Sequence, residues 1–466
     1  MQKIVIEPIS RIEGEGKVTV FVGADGEVVK ARFQMMEFRA FEEFVKGRMI
    51  WEMPLVTNKI CGICPIPQHL AAVKAVEAAL GVKEIPDVAL LLRKLLLAGG
   101  AIQDHALHFL YLAFPDFVFG SDTPPEKRSI TGLLEKHPQL VKKAIFLRKC
   151  GVRMAEMIGG DSIYPVTAIP GGMTMPFNME NIHEITDIYK KGLGVAQECA
   201  ELALKVVNSK VKKRFPQNSP PTKFMTLISK NNGLAHYQGD VRVIDEKGNA
   251  LETFRSSDYA SFIEEDVERD SWGKVPFLRK YGRHEGVYRV GPLARLNAIE
   301  QIETPKAGKW LKQFNALGDG RLVRDIIYYH LARTIELVYE FEQSLQILED
   351  TGLTDRETRI PVSRQAGEGV GIVEAPRGTL IHHYKCGSRG EVTHANFIVP
   401  TTHNNAALQE AVTAAAKQVI NNGTINEAGR QQIEMAVRAY DPCLSCATHS
   451  WNASHRLPIE IIREEQ

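Results

Sequence analysis

Two Cys-x-x-Cys pairs stand near opposite ends of this 466-residue chain: Cys61 and Cys64 in KICGICP, and Cys443 and Cys446 in DPCLSCATH. Four thiolates brought together make a soft-metal site, suited to nickel, zinc, copper or iron. Almost the whole chain separates the pairs, so such a site exists only if the entire protein folds around it. The fold has to tie its beginning to its end.

Formal charge is +1 with 24% charged residues. That balance gives no electrostatic reason to expect nucleic acid or an anionic membrane surface as partner. The opening MQKIVIEPIS lacks the basic and apolar regions of a secretory signal. The most apolar stretch, VALLLRKLLLAGGAI at 88–102, is interrupted by Arg93 and Lys94 and is too short to span a bilayer; it reads as a buried helix. Seven cysteines, an odd number, do not suggest a disulfide framework. These features predict a cytoplasmic protein.

Residues 1–33 alternate apolar and polar around a Gly-Ala-Asp-Gly turn, the pattern of strand, turn and strand. After Pro67, Leu70, Val73, Val76, Ala79 and Leu80 fall on one helical face, with Gly81 as a stop. Further helices are expected over 87–114, 142–158, 181–210 and 318–350, strands between 372 and 399, and a last long helix over 406–420. The reading is mainly α with minor β, one intertwined domain over 1–449 followed by a C-terminal extension, 450–466. The Gly-rich run GEGVGIV at 367–373 does not match G-x-G-x-x-G, and we read it as a loop without a nucleotide.

In the terminal motif Asp441 is placed as N-cap and Pro442 as the first residue of a short helix that carries Cys443, Cys446 and His449 on one face. Cys61 and Cys64 lie just ahead of the helix that begins near Pro67, where a positive helix end favours thiolates. A structural zinc site is the bland alternative. Two features oppose it: zinc ribbons join pairs only tens of residues apart, and the flanks are rich in chemically capable groups, namely Arg11, Glu13, Asp104, His105, Arg377 and His449.

Taken together, SRIEGEGKV (10–18), FRAFEEFVKGR (38–48), KICGICP, DHALHFLYL (104–112), APRGTLIHH (375–383), VPTTHN (399–404) and DPCLSCATH resemble, in order and from end to end, the motifs of nickel–iron hydrogenase large subunits. PTTHN and DPCLSCATH most resemble the soluble, carrier-coupled or electron-bifurcating branch. The resemblance implies a large-subunit-like fold around a central helical bundle and reversible cleavage of H2. It implies that Cys61 and Cys443 bind nickel terminally, while Cys64 and Cys446 bridge it to an iron with carbon monoxide and cyanide ligands. Arg377 with Pro376 would cover those ligands, Asp104 would hold Arg377, and Thr401 and Thr402 would donate hydrogen bonds to a cyanide. Glu13 would be the first proton acceptor; the plain alternative is a Glu13–Arg11 ion pair. Glu42, His449 and a backbone carbonyl near Phe397 would hold Mg2+.

Three positions depart from the family pattern: Glu15 stands where histidine is common, CGICPIPQH has one extra residue before His69, and Tyr164 replaces a frequent histidine. The remaining cysteines, Cys150, Cys199 and Cys386, read as buried free thiols, and His69, His105 and His403 are the histidines to watch. With too few spare cysteines for an iron–sulfur cluster, the chain is expected to need a cluster-bearing small subunit, and beyond it flavin, NAD or another cytosolic carrier. The related quinone-pocket subunit of respiratory complex I is the nearest rival, but it lacks the four cysteines; a zinc-stabilised binding protein is the other. In this family, an extension after the terminal histidine is commonly removed once metal is loaded, so residues 450–466 are expected to be cleaved.

Overall fold

The alternating N-terminal residues fold as an antiparallel meander of β1 (Gln2–Ile6), β2 (Gly16–Val22) and β3 (Val28–Met35). Val18, Val20 and Phe33 are fully buried beneath it, as a period of two requires of a half-buried sheet. The computed structural model describes residues 2–120, 123–216, 222–268, 270–318 and 322–449. Some 51% of the chain is helix and 20% strand, in keeping with the expected mainly α class.

Helix α1 (Pro65–Ala79) starts on prolines at its first turn and ends before Gly81, whose φ is 73°. It is followed by α2 (Asp87–Leu107), α3 (Pro138–Gly159) and α4 (Met179–Val207). Helix α5 (Tyr328–Leu348) closes a ring, because α2 packs on α3, α3 on α4, α4 on α5 and α5 back on α2. This ring is the expected central bundle. At its C-terminal end α2 widens into a π-type turn at His108–Ala113, an irregularity frequent at functional sites.

Between α4 and α5 lie a sheet built on β4 (Lys223–Ile228), β5 (Asp240–Ile244) and β6 (Ala250–Phe254), and a hairpin of β7 (Ile263–Val267) and β8 (Lys274–Leu278). After α5 comes a second antiparallel sheet of β9 (Gly367–Ala375), β10 (Gly378–Cys386) and β11 (Val392–Ile398). Helix α6 (Asn405–Val419) lies across β3, with the Ala31 amide donating to Thr413 Oγ1 at 3.0 Å. Helix α7 (Glu427–Tyr440) packs on α6 and leads into the short α8 (Leu444–Ala447). The packing of α6 on β3 returns the C-terminal cysteines to the N-terminal sheet.

Four local readings are corrected. The Gly-rich run is not a loop but strand β9, with α1 lying directly on it. A Cβ at Gly369 would stand 2.2 Å from the Ala79 amide nitrogen, and one at Gly371 would stand 2.2 Å from the Ala71 carbonyl. Glycine is there for close approach, and α1 is buried at every residue but Lys74 and Ala78 rather than on one face alone. The helix expected over 318–350 begins only at Tyr328. A helix after 420, α7, was not anticipated, although the Asn426 side chain caps it by accepting from the Gly429 amide at 2.9 Å. Asp441 caps no N-terminus: with φ 57° it ends α7 in the left-handed region, and Cys443 takes the N-cap position of α8.

Candidate metal centre

The four motif cysteines converge. Their Sγ atoms all lie within 4.8 Å of one another, in buried surroundings. Cys61 and Cys443 are 3.4 Å apart, Cys64 and Cys443 3.9 Å, Cys64 and Cys446 3.3 Å, and Cys443 and Cys446 2.8 Å. None is in a disulfide. Thiolates around one tetrahedral metal with bonds of about 2.3 Å stand roughly 3.8 Å apart, so the cluster is close to ligand spacing. Hydrogen bonds from Cys443, Cys446 and Cys64 draw Cys61 well below the ordinary thiol range, whereas burial holds Cys443 and Cys446 above it. This donor set fits a soft metal.

Three segments hold the cysteines. Cys64 occupies the N-cap position of α1, so the positive end of a fifteen-residue helix faces the thiols. Cys443 receives its backbone support from Thr401, whose Oγ1 accepts from the Cys443 amide at 2.9 Å. The loop between β1 and β2 lies alongside, with Glu13 bridged to Cys443 in parallel fashion and the Leu444 amide donating to the Glu13 carbonyl at 3.1 Å.

Arg377 sits on the two-residue turn that joins β9 to β10, between the paired Ala375 and Gly378. Its buried guanidinium donates from Nη1 to Asp104 Oδ2 at 2.5 Å, from Nη2 to Asp441 Oδ1 at 3.0 Å and from Nε to the Asp441 carbonyl at 2.8 Å. Arg377 and Pro376 line one small cavity together with Cys64, Thr401, Cys443 and Cys446. Asp104 was anticipated; Asp441 was not, although it stands in the same motif as two of the cysteines. Burial raises the Asp104 carboxyl to about 7 against the pull of Arg377. Thr402 behaves differently from Thr401: its hydroxyl donates to the Val399 carbonyl at 2.8 Å.

Glu13 does not pair with Arg11. Arg11 instead holds Asp116 at 2.5 Å and the Leu112 carbonyl at 2.6 Å. The Glu13 carboxylate accepts from the Ser445 amide at 3.1 Å and the Ser445 hydroxyl at 2.5 Å. The same hydroxyl lies 3.2 Å from Glu37 Oε2, so one serine stands between two carboxylates. Burial, and then the neighbouring charge of Cys61, push the Glu13 carboxyl above its usual range. Ser445 and Glu37 escaped the sequence reading, since nothing in their spacing announces the contact.

Glu42, Phe397 and His449 also meet. Glu42 Oε1 accepts from the Phe397 amide at 2.9 Å and from Lys274 Nζ at 2.8 Å, and the Glu42 amide donates to the His449 carbonyl at 3.2 Å. His449 is buried with both ring nitrogens unpartnered, and burial lowers its pKa to about 3. A buried, neutral imidazole with both nitrogens unpartnered keeps a lone pair for a metal ion, and its backbone is tied to Glu42.

The other residues singled out are structural. His105 Nε2 donates to Glu336 at 3.1 Å, His69 meets the Pro54 carbonyl at 2.9 Å and His403 meets the Tyr288 hydroxyl at 2.5 Å. Cys150 and Cys199 are buried away from the cluster, which pushes each thiol up to about 12. Tyr164 carries Lys59 Nζ 3.5 Å above its ring. Among the described residues no helix is long and apolar enough to cross a membrane.

A family model described as nickel-dependent hydrogenase matches residues 39–122 and 206–449, and one described as HoxL-like matches 3–38. The NAD-reducing hydrogenase HoxS subunit beta of Cupriavidus necator is 35% identical, covering 96% of this chain and 95% of its own. A subunit of the F420-non-reducing hydrogenase of Methanothermobacter marburgensis is 37% identical over 98% of this chain and 97% of its own. In three dimensions the chain superposes on an NAD+-reducing NiFe hydrogenase in the H2-reduced state with a TM-score of 0.93 and 38% identity, over 96% of this chain and 100% of that one.

Proposed function

The chain belongs to the nickel-dependent hydrogenase family, as the large, catalytic subunit of an oxidoreductase acting on H2, and from that premise we propose how its residues divide the work. Cys61, Cys64, Cys443 and Cys446 would hold a nickel–iron centre, Cys61 and Cys443 as ligands of nickel and Cys64 and Cys446 as ligands common to nickel and an iron that would carry carbon monoxide and cyanide. When bound, that centre supplies Lewis-acid polarisation of H2, so that the molecule splits heterolytically. The convergence of four thiols beneath the Arg377 turn carries this reading. A zinc-stabilised scaffold would not need a buried arginine held by two aspartates over its ligands.

Around the centre, Arg377 and Pro376 shape the cavity, and Asp104 and Asp441 fix the guanidinium. Thr401 keeps its hydroxyl proton free for a cyanide, a role Thr402 fills less well while it donates to Val399. Glu13 takes the proton from the Cys443 side. A carboxyl already raised towards the working pH suits that task. Ser445, whose hydroxyl lies between the Glu13 and Glu37 carboxylates, would then relay it, turning to accept from protonated Glu13 as its own proton passes to Glu37. Glu42, the Phe397 carbonyl and His449 hold Mg2+, which accounts for the orphaned imidazole; the Lys274 ammonium would share Glu42 with the ion.

Electrons leave to an iron–sulfur small subunit. The three cysteines outside the centre are each buried free thiols, so this chain offers no cluster site of its own among the described residues. The proposed complex is cytoplasmic and passes electrons onward to NAD or a comparable carrier; likeness to NAD-reducing hydrogenases supports the carrier. Infrared spectroscopy of the purified complex, with nickel and iron analysis, tests the whole reading: carbon monoxide and cyanide stretching bands are expected, and a metal-loaded protein without them refutes it.

A further inference from the structure

Behind Arg377 lies a second arginine that the proposed chemistry does not use. Arg333, on α5, is fully buried, yet its Nε, Nη1 and Nη2 have no hydrogen-bond partner. A buried guanidinium that makes no hydrogen bond is costly for a core to hold. Its surroundings show where its hydrogen bonds belong.

The nearest anion is Asp441 Oδ2, at 3.7 Å. That oxygen also lacks a partner, while Asp441 Oδ1 serves Arg377. Asp104 repeats the pattern: Oδ2 accepts from Arg377, and Oδ1 is unpartnered. His105 Nε2 donates to Glu336 and His108 Nε2 donates to the Arg438 carbonyl at 2.7 Å. Each imidazole, being neutral, therefore turns a lone pair outward at Nδ1, and both Nδ1 atoms are unpartnered. Asp104, Asp441, His105 and His108 are all within electrostatic reach of Arg333. A donor with five N–H groups thus shares this buried region with four unfilled acceptors, and it is paired at 3.7 Å with one of them, Asp441 Oδ2.

Resting on the nickel–iron reading above, we propose that Arg333 is a positioning residue of the hydrogenase centre: its buried charge, 3.7 Å from the free oxygen of Asp441, aims that carboxylate, which in turn fixes Arg377 over the four thiols. Geometry supports the assignment: one Asp441 oxygen serves Arg377 and the other lies against Arg333, so the carboxylate spans the two guanidinium groups. A purely structural arginine would not need to share the carboxylate that holds Arg377.

The test uses the assembled complex carrying Arg333→Met, which keeps bulk, and Arg333→Lys, which keeps charge. In Arg333→Met the iron's carbon monoxide and cyanide bands should move, and hydrogen/deuterium exchange should fall about 10- to 100-fold at normal nickel content. Arg333→Lys should bring the bands back towards their original positions and recover most of the exchange. Wild-type bands and exchange in Arg333→Met overturn this inference alone, as do two variants equally impaired, since charge would then not matter. A wild-type complex without such bands overturns the nickel–iron reading and this inference with it. Should Arg333→Met fail to load nickel, a crystal structure of the loaded wild-type complex decides. Arg333 bonded to Asp441, directly or through one water, supports the proposal, and an Arg333 turned away from Asp441 refutes it.

Discussion

Replacing Glu13 by glutamine separates proton transfer from architecture. The carboxylate accepts two hydrogen bonds from Ser445, at 3.1 Å from the amide and 2.5 Å from the hydroxyl. In Glu13→Gln the amide oxygen can keep the bond from the Ser445 nitrogen, while the amide NH2 donates to a serine hydroxyl that has rotated to accept. At most one bond of ordinary strength is weakened, a cost of about 1 kcal/mol or less. The Glu13 backbone, which supports Leu444 and Cys443, is untouched. Turnover is another matter, because an amide cannot shuttle the proton. Loss of a positioned acid–base group costs about 10²- to 10⁴-fold, equivalent to roughly 2.7–5.4 kcal/mol of barrier.

The pH dependence has a defined sign. Burial raises the folded carboxyl above its unfolded value, so Glu13 contributes stability that is present below the unfolded pKa and lost as pH rises through the folded one. Glutamine lacks that loss, and Glu13→Gln should gain stability relative to wild type as pH rises. The assay is hydrogen/deuterium exchange alongside nickel content and infrared bands of the same preparation. Exchange within a small factor of wild type, at full metal content, would refute Glu13 as the relay. Activity lost only in step with nickel would show that it acts through the fold.

Cys443→Ser should abolish hydrogen uptake and deplete nickel by metal analysis, since it opens the coordination sphere, whereas Cys150→Ser and Cys199→Ser, buried away from the cluster, should retain nickel. Arg377→Lys should lose about 100-fold in exchange, because an ammonium cannot span Asp104 and both Asp441 acceptors as the guanidinium does. Gly369→Ala drives a Cβ to 2.2 Å from the Ala79 amide nitrogen; displacement of α1 should cost about 1–3 kcal/mol and lower nickel loading through Cys64, and an unchanged melting temperature would count against the strand-on-helix packing.

The two Cys-x-x-Cys motifs and the order of the long helices were legible because each is written in a short run of residues, whereas the Arg377–Asp104 pair, 273 residues apart, was legible only through the resemblance to a family. What escaped depends on approach between distant segments. Arg11 and Glu13 are neighbours in sequence, yet Arg11 finds its partner in Asp116, 105 residues away. Ser445 and Glu37 meet only because α6 brings the C-terminus onto β3. The glycines of 367–373 look like a loop until α1 is laid on them, and Arg333 looks like one more polar residue in a helix. Asp441 was visible but misassigned: Asp-Pro suggests a cap, and only the geometry shows its carboxylate turned back to Arg377.

The extension 450–466 lies outside the described residues, but the two residues before it are already seated. The Thr448 carbonyl accepts from the amides of Arg39 and Ala40, both at 3.1 Å, and the His449 carbonyl accepts from the Glu42 amide at 3.2 Å. His449 itself is buried beside Phe41 and Phe397, with ring centroids 5.2 and 5.9 Å away. Three backbone bonds therefore anchor the chain up to His449 with no contribution from the extension, and a chain ending there loses none of them. A cut earlier would remove His449 from Glu42; a cut later would leave peptide attached at a buried site. Intact-mass measurement on active enzyme should find a C-terminus at His449, and a chain truncated by design at His449 should keep the melting behaviour of the processed protein. Fully active enzyme whose mass includes Gln466 would show instead that the extension is a permanent part of the molecule.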